Sequence, residues 1–389
     1  MNQFTRRIGV AVLLCGAILL AGWMYAEMRT RARWDRKAAA RYLDRREKYW
    51  AEWPEAARDQ GTFCVSCHTA LPYAFARPAL RSVLADHQPA DQERLLLDNV
   101  QKRVRLWTEI QPYYPSMAAQ SRGTESVLNA LILAGHDALA GKFSPDGRAA
   151  FAHMWDQQLT TGNRKGSWAW ILFDNEPWEA ADSPYYGACL AAIAVGIAPE
   201  NYSSDPAIKP NIAALNDYLR RESSAQSPIQ RVNLLWASIQ LPGLLTSAQQ
   251  QAIVDEILAR QHTDGGWSLS ELSAGWQRED GTPQIKDSDG YATGFIALVL
   301  QQLGYSRDDA HVKTALNWLV QNQSLLTGGW PAYSLNKRRH NPFSEVSQFM
   351  NDSATAYAVL ALTDPGNPFK SEMAPPSSNV VAPETRIAK

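Results

Sequence analysis

Gln261-His262-Thr263-Asp264-Gly265-Gly266-Trp267 ends one amphipathic stretch of this chain, and Gln323-Ser324-Leu325-Leu326-Thr327-Gly328-Gly329-Trp330 ends another. Gln158, followed by Gly166-Ser167-Trp168, is a looser third copy. The glycines predict helix stops in left-handed or tight conformations. The tryptophan can then pack against a neighbouring repeat, and the glutamine amide can bond backbone groups left free at the helix end. What precedes each clear copy is helical by pattern. Thr246 to Gln261 carries Ile253, Val254, Ile257 and Leu258, and Asp309 to Gln323 carries Val312, Ala315, Leu316 and Leu319. Both have the three-and-four spacing of a helix with one buried face.

Other stretches are apolar nearly all round, as a helix covered on every side would be. They run from Gly123 to Leu133, Asp182 to Ala191, Asp289 to Leu298 and Asp352 to Leu360, with Arg231 to Gln240 as a weaker fifth. Ser126, Tyr186, Leu234, Thr293 and Thr355 fall at equivalent places, with spacings of 60, 48, 59 and 62. A period of this size marks a repeat architecture. Each unit reads as an outer amphipathic helix, a loop and an inner buried helix. No alternating run argues for a sheet. The expectation is an all-α fold, with about five helical hairpins closed into an α/α toroid over residues 120–363.

The two clear copies match the Gln-x(2–5)-Gly-x-Trp motif, and with it the chain resembles the squalene-hopene cyclases of the terpenoid cyclase and protein prenyltransferase superfamily. That resemblance implies an apolar isoprenoid or hopanoid-type ligand and an aromatic-lined cavity. It also implies an alkene protonated by an aspartate-rich motif, with aromatic faces stabilising the cation. Asp287-Ser288-Asp289-Gly290 stands near the family's position, with the last aspartate replaced by Gly290. Asp289 would be the acid and Asp287 its helper. The competing reading is helix capping, because Asp182 and Asp352 also recur at inner-helix starts. Trp168, Trp170, Trp178, Tyr185, Tyr186, Trp267, Tyr291 and Trp330, with Asp182 and Asp352, would line the cavity; the same aromatic residues could instead pack repeat against repeat. The chain departs from the family in size, having material for one toroid where squalene cyclases have two. The prenyltransferase zinc pair is missing, since Gly187 stands two positions before Cys189, and so is the Cys-Gly-Glu-Gln thioester.

Upstream lies a second signal, Cys64-Val65-Ser66-Cys67-His68. Two thiols three positions apart, followed by an imidazole, are the pattern that carries covalent haem, with His68 as the proximal ligand. Phe63 and Thr69 flank it as in class I c-type cytochromes, which the local sequence resembles. A redox dithiol, a zinc site lacking two further ligands, and an accidental match are the alternatives. Met117, His87, His136 and His153 are candidates for the sixth iron ligand. The haem-attachment segment is expected over 61–119.

Ile8 to Tyr25 is an uncharged apolar run just long enough to span a bilayer, read as an N-terminal anchor over 1–25. A basic stalk helix is expected over 26–60, its Arg and Lys resting on anionic head groups. Those charges oppose export by the positive-inside rule, while the haem motif requires it. The reading that follows is a bacterial inner-membrane protein whose main domain faces the periplasm. The tail over 364–389, with five prolines in 26 residues, is expected to be disordered. A formal net charge of −1 gives no basic field for nucleic acid. Together these features point to a membrane-anchored, cyclase-like protein with haem c that acts on or binds an isoprenoid lipid. The alternative is a non-catalytic haem c module for electron transfer to a redox partner, or for holding a lipid or protein partner.

Overall fold

A computed structural model describes residues 33–363 apart from 274, 339, 340, 342 and 343. The expected anchor and tail lie outside those residues, as does the start of the expected stalk. The fold is mostly helical, as the periodicity predicts. Among the described residues the chain forms α1 (Arg36–Glu52), a two-stranded antiparallel pair β1 (Ala57–Arg58) and β2 (Thr62–Phe63), α2 (Ala70–Leu84), α3 (Asp91–Arg105), α4 (Ala118–Ala140) and α5 (Pro145–Asp156). It continues through α6 (Ser183–Ile197), α7 (Lys209–Glu222), α8 (Pro228–Gln240), α9 (Ser247–Leu258), α10 (Leu269–Leu272), α11 (Gly290–Gln302), α12 (Ala310–Asn322) and α13 (Phe349–Leu362). No described helix is long and apolar enough to cross a membrane.

The helices sort into two kinds. α9 buries only Ile253, Val254 and Ile257, and α12 buries Val312, Ala315, Leu316, Trp318 and Leu319, so each has one packed face. α6 and α11 are buried almost all round. The fully covered helices touch in order: α2 with α4, α4 with α6, α6 with α8, α8 with α11, α11 with α13, and α13 again with α2. The one-faced helices lie outside them, α1 on α2 and α13, α3 and α5 on α4, α7 on α6, α9 on α8, and α12 on α11 and α13. Small residues permit the close approaches. A Cβ on Gly294 of α11 would sit 2.6 Å from the Ala358 backbone nitrogen of α13.

The repeated loops bind one outer helix to the next. Each tryptophan turns back on its own outer helix: the indoles of Trp168, Trp267 and Trp330 donate to the carbonyls of Met154, Ile257 and Leu319 at 2.7–2.8 Å. Each glutamine reaches forward. The amide of Gln158 donates to Asn211 O of α7 at 3.1 Å, and that of Gln261 to His311 O of α12 at 3.0 Å. Gln323 completes the series on α1, accepting from Asp35 N at 2.7 Å and donating to Asp35 O at 2.9 Å. The accompanying glycine is left-handed each time, with φ of +96°, +91° and +83° at Gly166, Gly265 and Gly328. A Cβ there would strike the next outer helix, at Ala214, Thr314 and Ala38. No side chain fits either constraint.

This locates α1. It was expected to stand apart as a stalk, but it receives the last glutamine loop as α7 and α12 receive the earlier ones. It buries Ala39, Ala40, Tyr42, Leu43, Arg46, Glu47 and Trp50. One hydrophobic core runs from Ala39 to Leu362 without a break at residue 120. The expected haem segment therefore shares its packing with the helices that follow.

Candidate functional site

The Cys-x-x-Cys-His stretch is the turn between β2 and the first fully covered helix, α2. It is held on all sides. Cys64 N donates to Ala56 O at 2.8 Å, and the Trp50 indole donates to Cys64 O at 2.6 Å. Asn99 bonds both backbone groups of Phe63, and Val65 N donates to the Tyr113 hydroxyl at 3.2 Å. Ser66 Oγ accepts from Thr69 N and Ala70 N, satisfying two of the free amides that open α2. Behind the turn is a wholly buried ion pair, Arg103 with Glu125 at 2.5 Å, whose guanidinium also donates to Thr62 Oγ1 at 2.7 Å. A buried charge needs such partners to be tolerated.

His68 sits under aromatic rings. Its centroid lies 4.2 Å from that of Phe349, nearly parallel, and 4.8 Å from that of Trp50, edge-on. His68 and Cys64 line a cavity of about 230 Å³ with Trp50, Trp53, Tyr114, Phe173, Trp178, Glu179, Phe349 and Met350. Burial, helped by the charge of Arg46, lowers the His68 pKa to about 3, so the ring is neutral. Burial pushes Cys64 up to about 12 and Cys67 well above the usual thiol range. Buried protonated thiols are poor nucleophiles, which argues against a redox dithiol. Among the described residues no three His, Cys, Asp or Glu side chains converge to hold a metal ion.

One hydrogen-bonded line runs from His68 to the surface. His68 Nδ1 is 2.8 Å from Thr69 Oγ1, and that hydroxyl donates to Asp352 Oδ2 at 2.7 Å. Asp352 Oδ1 accepts from Arg46 Nε at 2.7 Å and from the Tyr42 hydroxyl at 2.8 Å. Arg46 pairs with Glu345, whose side chain is exposed. Burial pushes the Asp352 carboxyl up while Arg46, Thr69 and Tyr42 oppose the shift. A guanidinium and two hydroxyl donors aimed at it suit the carboxylate.

The other expected site residues are distributed differently. Asp289 is 2 % exposed and is the N-cap of α11, with Oδ1 accepting from Ala292 N at 2.9 Å and Oδ2 from Leu269 N at 2.6 Å. Burial lifts it to about 7, but both oxygens are occupied by backbone amides. Asp287 is exposed. Trp168, Trp170, Tyr185, Tyr186, Trp267, Tyr291 and Trp330 are all within 1 % of full burial and belong to the packed core. Of the aromatic group only Trp178 lines the cavity with His68. Asp182 lies with Pro184, Tyr185 and Tyr218 at a separate, shallow depression, and Asp352 reaches His68 through Thr69. Met117, half-buried in a short turn, is not among the cavity residues, whereas Met350 is.

Sequence reasoning did not single out Trp50, Trp53, Tyr114, Phe349 or Met350. Their only signal was the clustering of Trp50 and Trp53 at the end of α1, shortly before the motif; Tyr114 comes from a distant loop, and Phe349 and Met350 open α13. No family model matches the chain, and no curated protein matches it.

Proposed function

We propose that this chain is a covalent haem c protein, with the motif set in the first unit of a closed, squalene-cyclase-like α/α toroid. The observation that carries this is His68: neutral, engaged through Nδ1 with Thr69, and sharing an aromatic cavity with Cys64. The toroid is supported by the closed series of helix contacts and by the glutamine loops that end on α1. The residues fit haem by their chemistry. Cys64 and Cys67 would hold it by thioethers, and His68 has the imidazole that iron needs; Cys64 and His68 line the cavity, whereas Cys67 is buried and is not among its lining residues. Haem bound there would supply a one-electron couple. The cavity of about 230 Å³ is below the ~300–1,000 Å³ of ordinary small-molecule pockets. The thiols are buried, so attachment must precede closure of the core.

Electron transfer or redox chemistry is favoured over acid-initiated cyclisation. The oxygens of Asp289 are taken up in capping, and the aromatic residues expected to line an isoprenoid cavity are packed together. One observation favours a lipid ligand as a second reading. A mostly apolar groove of about 390 Å³ between α2, α3 and α4 is lined by Phe75, Leu96, Leu97, Ile132 and Leu139. We extend the proposal to an exported domain on an N-terminal anchor, which c-type attachment requires.

The test is expression of the full chain in a host with c-type maturation. A haem-stained denaturing gel and a pyridine haemochrome spectrum should show covalent haem, lost in Cys64→Ala/Cys67→Ala. A colourless, folded wild-type protein from that host would refute the haem reading. Native mass spectrometry of the same material would reveal an apolar ligand in the groove.

A further inference from the structure

We infer that Thr69 and Asp352 are positioning residues, which hold His68 as the Nδ1–H tautomer and keep the lone pair of Nε2 available to a metal. The argument is a count of protons along the line. The Thr69 hydroxyl has one hydrogen and spends it on Asp352 Oδ2 at 2.7 Å. Its oxygen can then only accept from His68 Nδ1 at 2.8 Å, so Nδ1 carries the hydrogen. Among the described residues the ring's hydrogen bond is the one at Nδ1, so no acceptor holds a second hydrogen on Nε2 and its lone pair stays free. Asp352 is itself fixed, because Arg46 Nε and the Tyr42 hydroxyl both donate to its other oxygen. The carbonyl of His68 is pinned as well, by Ser353 Oγ at 2.8 Å, one residue after Asp352 on α13. Ring orientation, tautomer and backbone are thus set from one helix turn that lies almost 300 positions away in the chain.

Asp352 offsets its desolvation through Arg46 and Tyr42, which occupy Oδ1 and leave Oδ2 to Thr69 and so to the ring. Outer partners of this kind raise ligand basicity and orient the ring. The inference rests on the haem reading for its second measurement and not for its first.

The first measurement is nitrogen NMR of histidine-labelled full chain produced without c-type maturation, and so haem-free, with the His68 signals assigned by their loss in His68→Ala. Wild type should show a single Nδ1–H tautomer. Thr69→Val, which keeps the shape and removes the hydroxyl, should show a tautomer mixture, and Thr69→Ser should restore the wild-type pattern. A mixture or an Nε2–H ring in folded wild type overturns the inference. The second is the midpoint potential of the haem-loaded protein. It should rise in Thr69→Val and in Asp352→Asn and stay at the wild-type value in Thr69→Ser. An unchanged potential in Thr69→Val, with haem attached, overturns it too. A colourless wild type that still shows the single Nδ1–H tautomer would sink the haem reading and leave the inference standing.

Discussion

Asp352→Ala should be among the most destabilising single changes in this protein. Arg46 and Asp352 are each 2 % exposed, with Nε and Oδ1 2.7 Å apart. Removing the carboxylate leaves the guanidinium with Glu345, which lies at the surface, and takes the acceptor from the Tyr42 and Thr69 hydroxyls. Breaking a buried pair from one side costs about 3–5 kcal/mol, because a desolvated charge is left without its partner. The reverse deletion should be milder. In Arg46→Met the carboxyl can take up a proton, which burial already favours, whereas arginine cannot shed its charge. That variant should therefore become more stable as pH falls through the raised carboxyl pKa toward the ordinary carboxylate range, since the folded form then binds a proton the unfolded chain does not. The double variant Arg46→Met/Asp352→Ala should fall short of the summed single losses by more than about 1 kcal/mol, the range of coupling between contacting residues. Urea unfolding at constant slope measures each corner of this cycle. A loss below about 1 kcal/mol in Asp352→Ala, or an additive cycle, would refute the reasoning.

Three further outcomes follow from the same packing. Gly294→Ala places a Cβ 2.6 Å from the Ala358 nitrogen and 2.8 Å from the Tyr357 carbonyl carbon, so thermal unfolding should report a loss of about 1–3 kcal/mol or more from overpacking. Asp289→Asn keeps a good N-cap residue but surrenders one of two acceptors; a loss of about 1–3 kcal/mol with unchanged haem content and spectrum would support capping, and loss of a lipid-directed activity without destabilisation would support the acid role instead. Glu179, raised to about 7 by burial in the cavity, holds its proton in the folded state where the unfolded chain has released it. Its contribution to stability should therefore decline as pH climbs from the ordinary carboxyl range to about 7, so Glu179→Gln should show a shallower pH dependence than wild type, in which Asp289, also raised to about 7, still contributes.

The helices were legible because their signals are local. Three-and-four spacing placed the buried face of α12 at Val312, Ala315, Leu316 and Leu319, and those residues are buried. Asp289 at a helix start was legible as a cap for the same reason, since the donors it serves include Ala292, three residues on. The aromatic residues near the glutamine loops could be read as cavity or as core, and periodicity offers no way to choose. Burial decides it: Trp168, Trp267 and Trp330 spend their indole N–H groups on the last turn of the preceding helix. The first unit escaped notice because α1 precedes its partner by a strand pair and a turn and carries a dense basic face. That composition imitates a solvated stalk.

By itself the sequence determined the helical class, the repeat, the loop motif and the Cys64, Cys67 and His68 triplet, all of which depend on residues close together in the chain. Only the tertiary structure decided that α1 receives the loop of Gln323, and that Asp352 on α13 stands behind Thr69 and His68. It also decided that Phe349, Trp178 and Glu179 share a cavity with His68. These are contacts between positions separated by up to about three hundred residues. They arise because the fully covered helices pack side by side, and no local pattern encodes which side chains that packing brings together.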